Sequence, residues 1–354
     1  MRWLIKSTIV LMLLAGVGLA WAHFSMAAYM QQPLSLSEPT AFEIPMGATL
    51  RGVSRQLRER GISKNTHWLL LRARLDGNAA DIKAGRYTLT PGLSATAFFA
   101  LIRAGNVDLE KLVIVEGWTV AQGLAAITAH PAIVDDLDVA IDQRADGVAW
   151  LSDDQLAELS VRFGVSGSSL EGWLAPDTYR FAAGSSASDI VETGVALMRT
   201  RLDKVWEQGD PPKGIDTPYA ALVLASIVEK ETGLASERAQ IAGVFVRRLA
   251  QSMRLQTDPT VIYGIGQDYD GDIRRSDLQT RTPYNTYTID GLPPTPIALP
   301  GEAALVSVMM PADGETLYFV ASGKGDGSHV FSKTLEEHER AVQAYLKALR
   351  RGSR

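Results

Sequence analysis

One segment restricts the fold more than any other. From residue 217 the chain reads Thr217-Pro218-Tyr-Ala-Ala-Leu-Val-Leu-Ala-Ser-Ile-Val-Glu229-Lys230-Glu231-Thr232-Gly233. Thr217 is an N-cap residue, Pro218 fits the first helical turn, and Gly233 suits a left-handed stop. Between them, residues 220–228 are apolar on every face except at Ser226. A helix that is apolar all round has to be buried, so the chain must wrap a globular domain around it. The helix then ends in two acids. At that place burial and the negative end of the helix dipole both disfavour an ionised carboxylate and raise its pKa. A carboxylic acid kept protonated near neutrality is what general-acid cleavage of a glycosidic bond needs. Glu231 lies one turn beyond Ile227, on the face of Leu224, and is the better desolvated candidate. Glu229 points elsewhere and is placed to pair with Lys230 or Arg238. The plain alternative is a solvated, charged helix end.

The N-terminus sets the compartment. Arg2 and Lys6 precede an apolar stretch from Ser7 to Ala22, and no charged side chain follows until Glu38. The stretch reads as a secretory signal or as a membrane anchor with its basic end in the cytoplasm. Ala20-Trp21-Ala22 resembles a small-x-small cleavage site. Against cleavage, the apolar run continues through Phe24 and Met26 to Ala28, giving roughly the 20 residues of a spanning helix. On either reading the chain from Gln31 onward is extracytoplasmic. The formal charge of −5, without a basic run, argues against nucleic acid. No cysteine is present, which excludes disulfides, thiolate metal sites and an acylated cysteine. The five scattered histidines form no zinc pair at helical spacing. No metal or organic cofactor is implied.

At 354 residues the chain divides into parts, and its pattern is α+β. We expect an anchor over residues 1–30, a linker over 31–40, a small unit over 41–105 and a larger region over 106–354 with its core at about 189–350. In the small unit Phe42 and Ile44 alternate as a strand, Met46-Gly47 turns, and Thr49 caps a helix bearing Leu50, Val53 and Leu57. A second helix is expected over His67 to Leu75, and Gly85 to Leu89 returns to pair with the first strand. Ile44-Pro-Met-Gly47-Ala-Thr49-Leu50 is echoed by Ile114-Val-Glu-Gly117-Trp-Thr119-Val120, a strand, glycine turn and threonine cap in both. Residues 170–179, Leu-Glu-Gly-Trp-Leu-Ala-Pro-Asp-Thr-Tyr, read as a packed loop. A hairpin joins 317–321 to 329–331, and an amphipathic helix from Leu335 to Leu349 closes the chain.

Three spaced motifs carry a resemblance. Glu231-Thr232 is followed by Leu255-Gln256-Thr257-Asp258-Pro259 and then by Tyr284-Asn285. This order is similar to the lysozyme-like lytic transglycosylases, with threonine in place of their serine. The fuller strings, residues 225–232, 253–264 and 282–287, resemble the endolytic murein transglycosylase family, also called YceG-like, and the small unit resembles a LysM-type glycan-binding module. The resemblance covers nearly the whole chain. It implies a βααβ LysM-like module and a lysozyme-like catalytic domain behind an inner-membrane, single-pass anchor. It implies cleavage of the MurNAc–GlcNAc β-1,4 bond within peptidoglycan strands, giving 1,6-anhydro ends beside peptidoglycan synthases. Glu231 takes the place of the catalytic acid, with Glu229 as a supporting acid. Gln256, Tyr284, Asn285 and Tyr287 take the substrate-binding positions.

Two rival functions remain open on the residues. A hydrolytic muramidase needs a second carboxylate, for which Glu171, Asp177 and Asp258 are available. A non-catalytic glycan-binding scaffold predicts an exposed Glu231 with Gln256 and Asn285 elsewhere. Asp268-Tyr-Asp270-Gly-Asp272 lacks the glycine position and closing glutamate of a calcium loop and reads as a solvated turn. His329 reads as a strand residue rather than a ligand.

Overall fold

The structure is a computed structural model that describes residues 2–45, 47–78, 80–144 and 148–352. Met46 of the expected glycine turn lies outside the described residues. The chain forms two compact units, one of residues 1–110 with 180–185, the other of residues 111–179 with 186–354.

The first unit contains α1 (Arg2–Gln31), β1 (Thr40–Ile44), α2 (Leu50–Glu59), α3 (His67–Leu75), β2 (Gly85–Leu89) and α4 (Ala95–Ala104). β1 and β2 pair antiparallel, with Phe42 opposite Tyr87 and Ile44 opposite Gly85. Alternation sends Phe42, Ile44, Tyr87 and Leu89 inward. There the Phe98 ring meets Phe42 edge-on at 5.6 Å. The end of α1 is part of this core, because Met26, Tyr29 and Met30 are buried in the same cluster. The joint is also hydrogen-bonded. The Tyr29 hydroxyl pairs with Ser63 Oγ at 2.9 Å, and Thr96 Oγ1 donates to the Met30 carbonyl at 2.7 Å. The 31–40 segment, expected as a linker, is held along the unit by Leu34 N–H donating to Leu93 and Ser35 N–H donating to Ile62.

In the second unit the helices are α5 (Val120–Thr128), α6 (Asp153–Arg162), α7 (Ala187–Gln208), α8 (Pro218–Glu231), α9 (Ala235–Ala250), α10 (Asp258–Ile265), α11 (Arg275–Gln279), α12 (Glu302–Met309) and α13 (Leu335–Gly352). Across the chain the remaining strands are β3 (Leu109–Ile114), β4 (Ile133–Val134), β5 (Asp142–Gln143), β6 (Ala149–Trp150), β7 (Asp177–Ala182), β8 (Ser185–Ser186), β9 (Tyr318–Ala321) and β10 (His329–Ser332). The result is a mixed α+β chain with one N-terminal helix, Lys6–Gln31, long and apolar enough to cross a membrane. The sequence echo is realised locally. Gly47 and Gly117 both sit at positive φ (73° and 76°), which glycine tolerates without steric cost, and Thr49 and Thr119 both cap the following helix.

Helix α8 is the axis of this unit. Residues 221–228 are all buried, packed by α7, α9 and α12. Ser226, the polar exception, is satisfied: its hydroxyl donates to the Val223 carbonyl at 2.7 Å and accepts from Ile297 N–H at 2.9 Å. Thr217 caps the helix and Pro218 opens it, as the sequence predicts. The C-terminal stop differs. Thr232, not Gly233, terminates the helix, in extended conformation at φ −148°, and its hydroxyl accepts from Leu234 N–H at 3.0 Å. A side chain capturing the next free N–H replaces the left-handed turn.

Candidate active site

The end of α8 opens into a groove of about 400 Å³ lined by Glu231, Gln256, Asp258, Tyr287 and, on the hairpin side, Tyr318 and Phe319. Glu231 is only partly accessible, and Thr257 Oγ1 donates to its carboxylate. Burial pushes this carboxyl up from the usual 4.5 to about 7. The Thr257 hydroxyl and His329 pull it down, and the neighbouring Asp258 carboxylate pushes it further up.

Glu229 is committed differently. Its carboxylate accepts from Gly301 N–H at 3.0 Å and lies 3.8 Å from the Arg238 guanidinium. Burial raises its pKa, the Gly301 N–H lowers it, Glu116 raises it, and Arg238 and Lys230 lower it. It ties the end of α8 to the start of α12.

The second motif is built around a strained residue. Gln256 has φ 51°, in the left-handed region that a branched or long side chain seldom occupies. Its N–H donates to the Thr286 carbonyl at 3.2 Å, and its Oε1 accepts from Arg248 at 3.4 Å. Arg248 is the buried organiser of this turn. Its guanidinium donates to the carbonyls of Leu317, Arg254 and Leu255 at 2.6, 3.1 and 2.9 Å and lies 5.0 Å from the Tyr318 ring. Thr257 N–H in turn donates to Thr286 Oγ1 at 3.1 Å, and Thr260 pairs with the same hydroxyl at 2.9 Å.

The third motif splits. Asn285 is buried, its amide donating to the carbonyls of Asp277 (2.9 Å) and Thr280 (2.6 Å), while its Oδ1 accepts from Tyr287 N–H at 2.9 Å. It holds the loop that carries Tyr287. Tyr287 reaches the groove with its hydroxyl donating to Asp258 at 2.7 Å, and burial raises its pKa well above the usual value. Tyr284 turns away, pairing with Thr295 Oγ1 at 2.8 Å. It lines a second groove of about 430 Å³ with Trp150, Tyr263 and Glu171.

Glu171 is the second strongly perturbed acid. It is buried, and its carboxylate accepts from Val120 N–H (2.9 Å), Gly172 N–H (3.3 Å) and the Tyr263 hydroxyl (3.3 Å). Burial raises it to about 7 despite those donors and Lys230. Asp177 is paired instead with Arg201 at 2.5 Å. His329 is a strand residue held by Glu237, with 2.8 Å between Nδ1 and the carboxylate. Asp270, in the expected solvated turn, pairs with Arg274.

Sequence reasoning missed Thr257, Arg248 and Thr286. Thr257 stands inside the second motif, which was its one visible signal. Arg248 falls on the buried face of α9, and only the tertiary fold reveals which carbonyls it meets.

The YceG-like family profile matches residues 42–344. An endolytic murein transglycosylase of Bacillus subtilis is 29% identical over 316 residues, which is 86% of this chain and 84% of that protein. A protein of the same name from Streptococcus pneumoniae is 27% identical over 325 residues, 86% of this chain and 58% of the relative. The crystal structure of a YceG-like protein from Listeria monocytogenes superposes with a TM-score of 0.51 at 29% identity, covering 86% of this chain and 99% of that one. With the match running through residues of both compact units and the three motifs lying inside it, the chain belongs to the YceG-like family.

Proposed function

We propose that the chain is a membrane-anchored peptidoglycan lytic transglycosylase with Glu231 as its single catalytic acid–base. The observation that carries this is the Glu231 carboxyl, balanced near neutrality at the end of a buried helix, in a groove lined by Gln256, Asp258 and Tyr287. The activity of the relatives, as their names give it, supports the reaction class.

In this reading Glu231 protonates the oxygen between N-acetylmuramic acid and N-acetylglucosamine. The C1–O bond breaks, the N-acetylglucosamine side leaves with the proton, and positive charge develops at the muramyl C1. The C6 hydroxyl oxygen of the same sugar attacks C1, and its proton passes to the Glu231 carboxylate, which restores the acid. The product ends in a 1,6-anhydro sugar, and no water is consumed. An internal nucleophile removes the need for the second carboxylate of ordinary glycosidases. Gln256 offers an amide to an acetamido group, and Tyr287 offers a ring to a sugar face. Asn285 contributes by setting the Tyr287 loop, and Tyr284 serves a subsite in the second groove. Glu229 supports the helix end. In this reading the cuts fall within strands, in keeping with the word endolytic in the relatives' names, and the enzyme works beside peptidoglycan synthases and limits strand length. Residues 41–105 would serve as a LysM-like glycan-binding module, the larger region as a lysozyme-like domain, and α1 as a single-pass inner-membrane anchor leaving the rest in the periplasm.

One observation favours a second reading. Asp258 shares the groove with Glu231, as a hydrolytic muramidase would require of its second carboxylate. Mass spectrometry of muropeptides released in labelled water separates the two. Anhydro ends without label, lost in Glu231→Gln, are expected. Labelled reducing ends would establish hydrolysis, and no release by the wild type would leave only the binding scaffold.

A further inference from the structure

The first unit holds a cavity of about 360 Å³ where α1 meets α3 and α4. Its floor is apolar, with Met26 and Met30 of α1 and Phe99 of α4, and it carries the guanidinium groups of Arg72 and Arg103. Arg72 is paired with Asp76 at 2.8 Å, and Arg103 lies 3.6 Å from Asp81. Arg103 also stacks its guanidinium 5.6 Å from the Phe99 ring, and its Nε is buried without a hydrogen-bond partner. The Asn78 amide oxygen faces the two terminal nitrogens of Arg103 at 3.2 and 3.3 Å. Arg72 commits only its Nε, to the Asp76 carboxylate that also lines the cavity, and so keeps its terminal N–H donors for a second anion. Apolar walls beside two planar cations fit an amphiphile with a phosphate head.

The depth of the cavity identifies its occupant. Twenty helical residues at about 1.5 Å each cover the ~30 Å hydrocarbon core of a bilayer. Counted from Ser7, they end at Met26, so the α1 residues lining the cavity stand at the headgroup level. The neighbouring surface agrees. Trp21 of α1, about 7.5 Å short of Met26 along the helix, is in ring contact with Trp68 of α3 at 6.2 Å, which brings this edge of α3 to the hydrocarbon boundary. Trp68, Leu71 and Leu75 follow at helical spacing on one face of α3, and Leu71 and Leu75 are exposed.

We propose that this cavity binds the headgroup of an anionic phospholipid of the outer leaflet, with the Trp68–Leu71–Leu75 face of α3 seated in the bilayer surface. The proposal rests on α1 being a retained anchor. It gives the first unit a fixed posture on the membrane, because the unit is packed on the helix rather than tethered to it.

The test uses the full chain in nanodiscs of phosphatidylcholine alone or mixed with phosphatidylglycerol, with retained lipid counted by native mass spectrometry. Because the chain has no cysteine, single nitroxide labels at Leu13→Cys and Leu75→Cys report depth without background. We expect phosphatidylglycerol to be retained about tenfold over phosphatidylcholine, with about a fivefold loss per arginine in Arg72→Gln and Arg103→Gln. Arg72→Lys with Arg103→Lys keeps the charge and should keep much of the preference, which separates lost charge from lost folding. The Leu75 label should sit at the interface. Equal retention of the two lipids, an inorganic phosphate adduct in place of lipid, or a Leu75 label in bulk water overturns the proposal. A Leu13 label in bulk water instead overturns the anchor, and the headgroup site falls with it.

Discussion

At the scale of single residues the site depends on how one proton is held. Glu231 and Glu171 are both lifted to about 7 by burial, yet only Glu231 lies in the groove with Gln256 and Asp258. Replacing Glu231 by Gln removes the acid while keeping its shape, and muropeptide release should fall by about 10²–10⁴. The same change should raise stability, and the sign follows from linkage. The folded state keeps a proton that the unfolded chain releases above 4.5, so wild-type stability declines as pH rises from there through about 7. Glu231→Gln escapes that loss and should gain roughly 3 kcal/mol at pH 8 and nothing near pH 4, measured by denaturant unfolding at both values. Thr257 tests the tuning. Its hydroxyl favours the ionised form of Glu231, so Thr257→Val should move the alkaline limb of kcat/KM upward by about 0.5–1 pH unit. An unmoved limb would show that another group sets it.

At the scale of elements, strain marks the second motif. Gln256 holds a left-handed backbone at φ 51° that glycine adopts freely. Gln256→Gly should therefore gain about 1 kcal/mol in thermal unfolding while kcat falls, because the amide that faces the groove is gone. A loss of both would mean that the side chain, through Arg248, holds the turn together. How much of this was legible in the sequence differs from element to element. The capped, wholly apolar α8 was readable because each signal is local: Thr217, Pro218 and the unbroken run to Val228. Strands β1 and β2 were readable by alternation and by the return at Gly85. The stop at Thr232 was not, since a side-chain capture of Leu234 N–H competes with the glycine turn at almost no difference in pattern. Nor was the parting of Tyr284 from Tyr287, because neighbours in sequence fall on opposite sides of a loop that the buried Asn285 amide and the Thr286 hydroxyl fix through tertiary partners. Arg248 was invisible for a related reason, its acceptors being contributed by the 254–255 turn and by Leu317.

At the scale of the whole molecule, the folded core of the first unit does not begin where the apolar run ends. Composition separates an anchor over 1–30 from a unit over 41–105, yet Met26, Tyr29 and Met30 contribute side chains to the core that holds Phe42, Tyr87 and Phe98. A soluble form cut after residue 31 removes three buried apolar side chains, together with the Tyr29 and Thr96 hydrogen bonds. Burying a large apolar side chain stabilises by about 1.5–3 kcal/mol, so this cut should cost the first unit several kcal/mol. A form beginning at Ser25 keeps those residues and loses only the exposed part of α1. Differential scanning calorimetry of the two forms should show the first unit melting well below its partner form when the cut is at 31, with the unfolding of residues 111–179 and 186–354 unchanged. Equal melting of the two forms would mean that the end of α1 packs without holding the unit together. The expected difference would instead make the end of the apolar helix α1 part of the fold of the first unit.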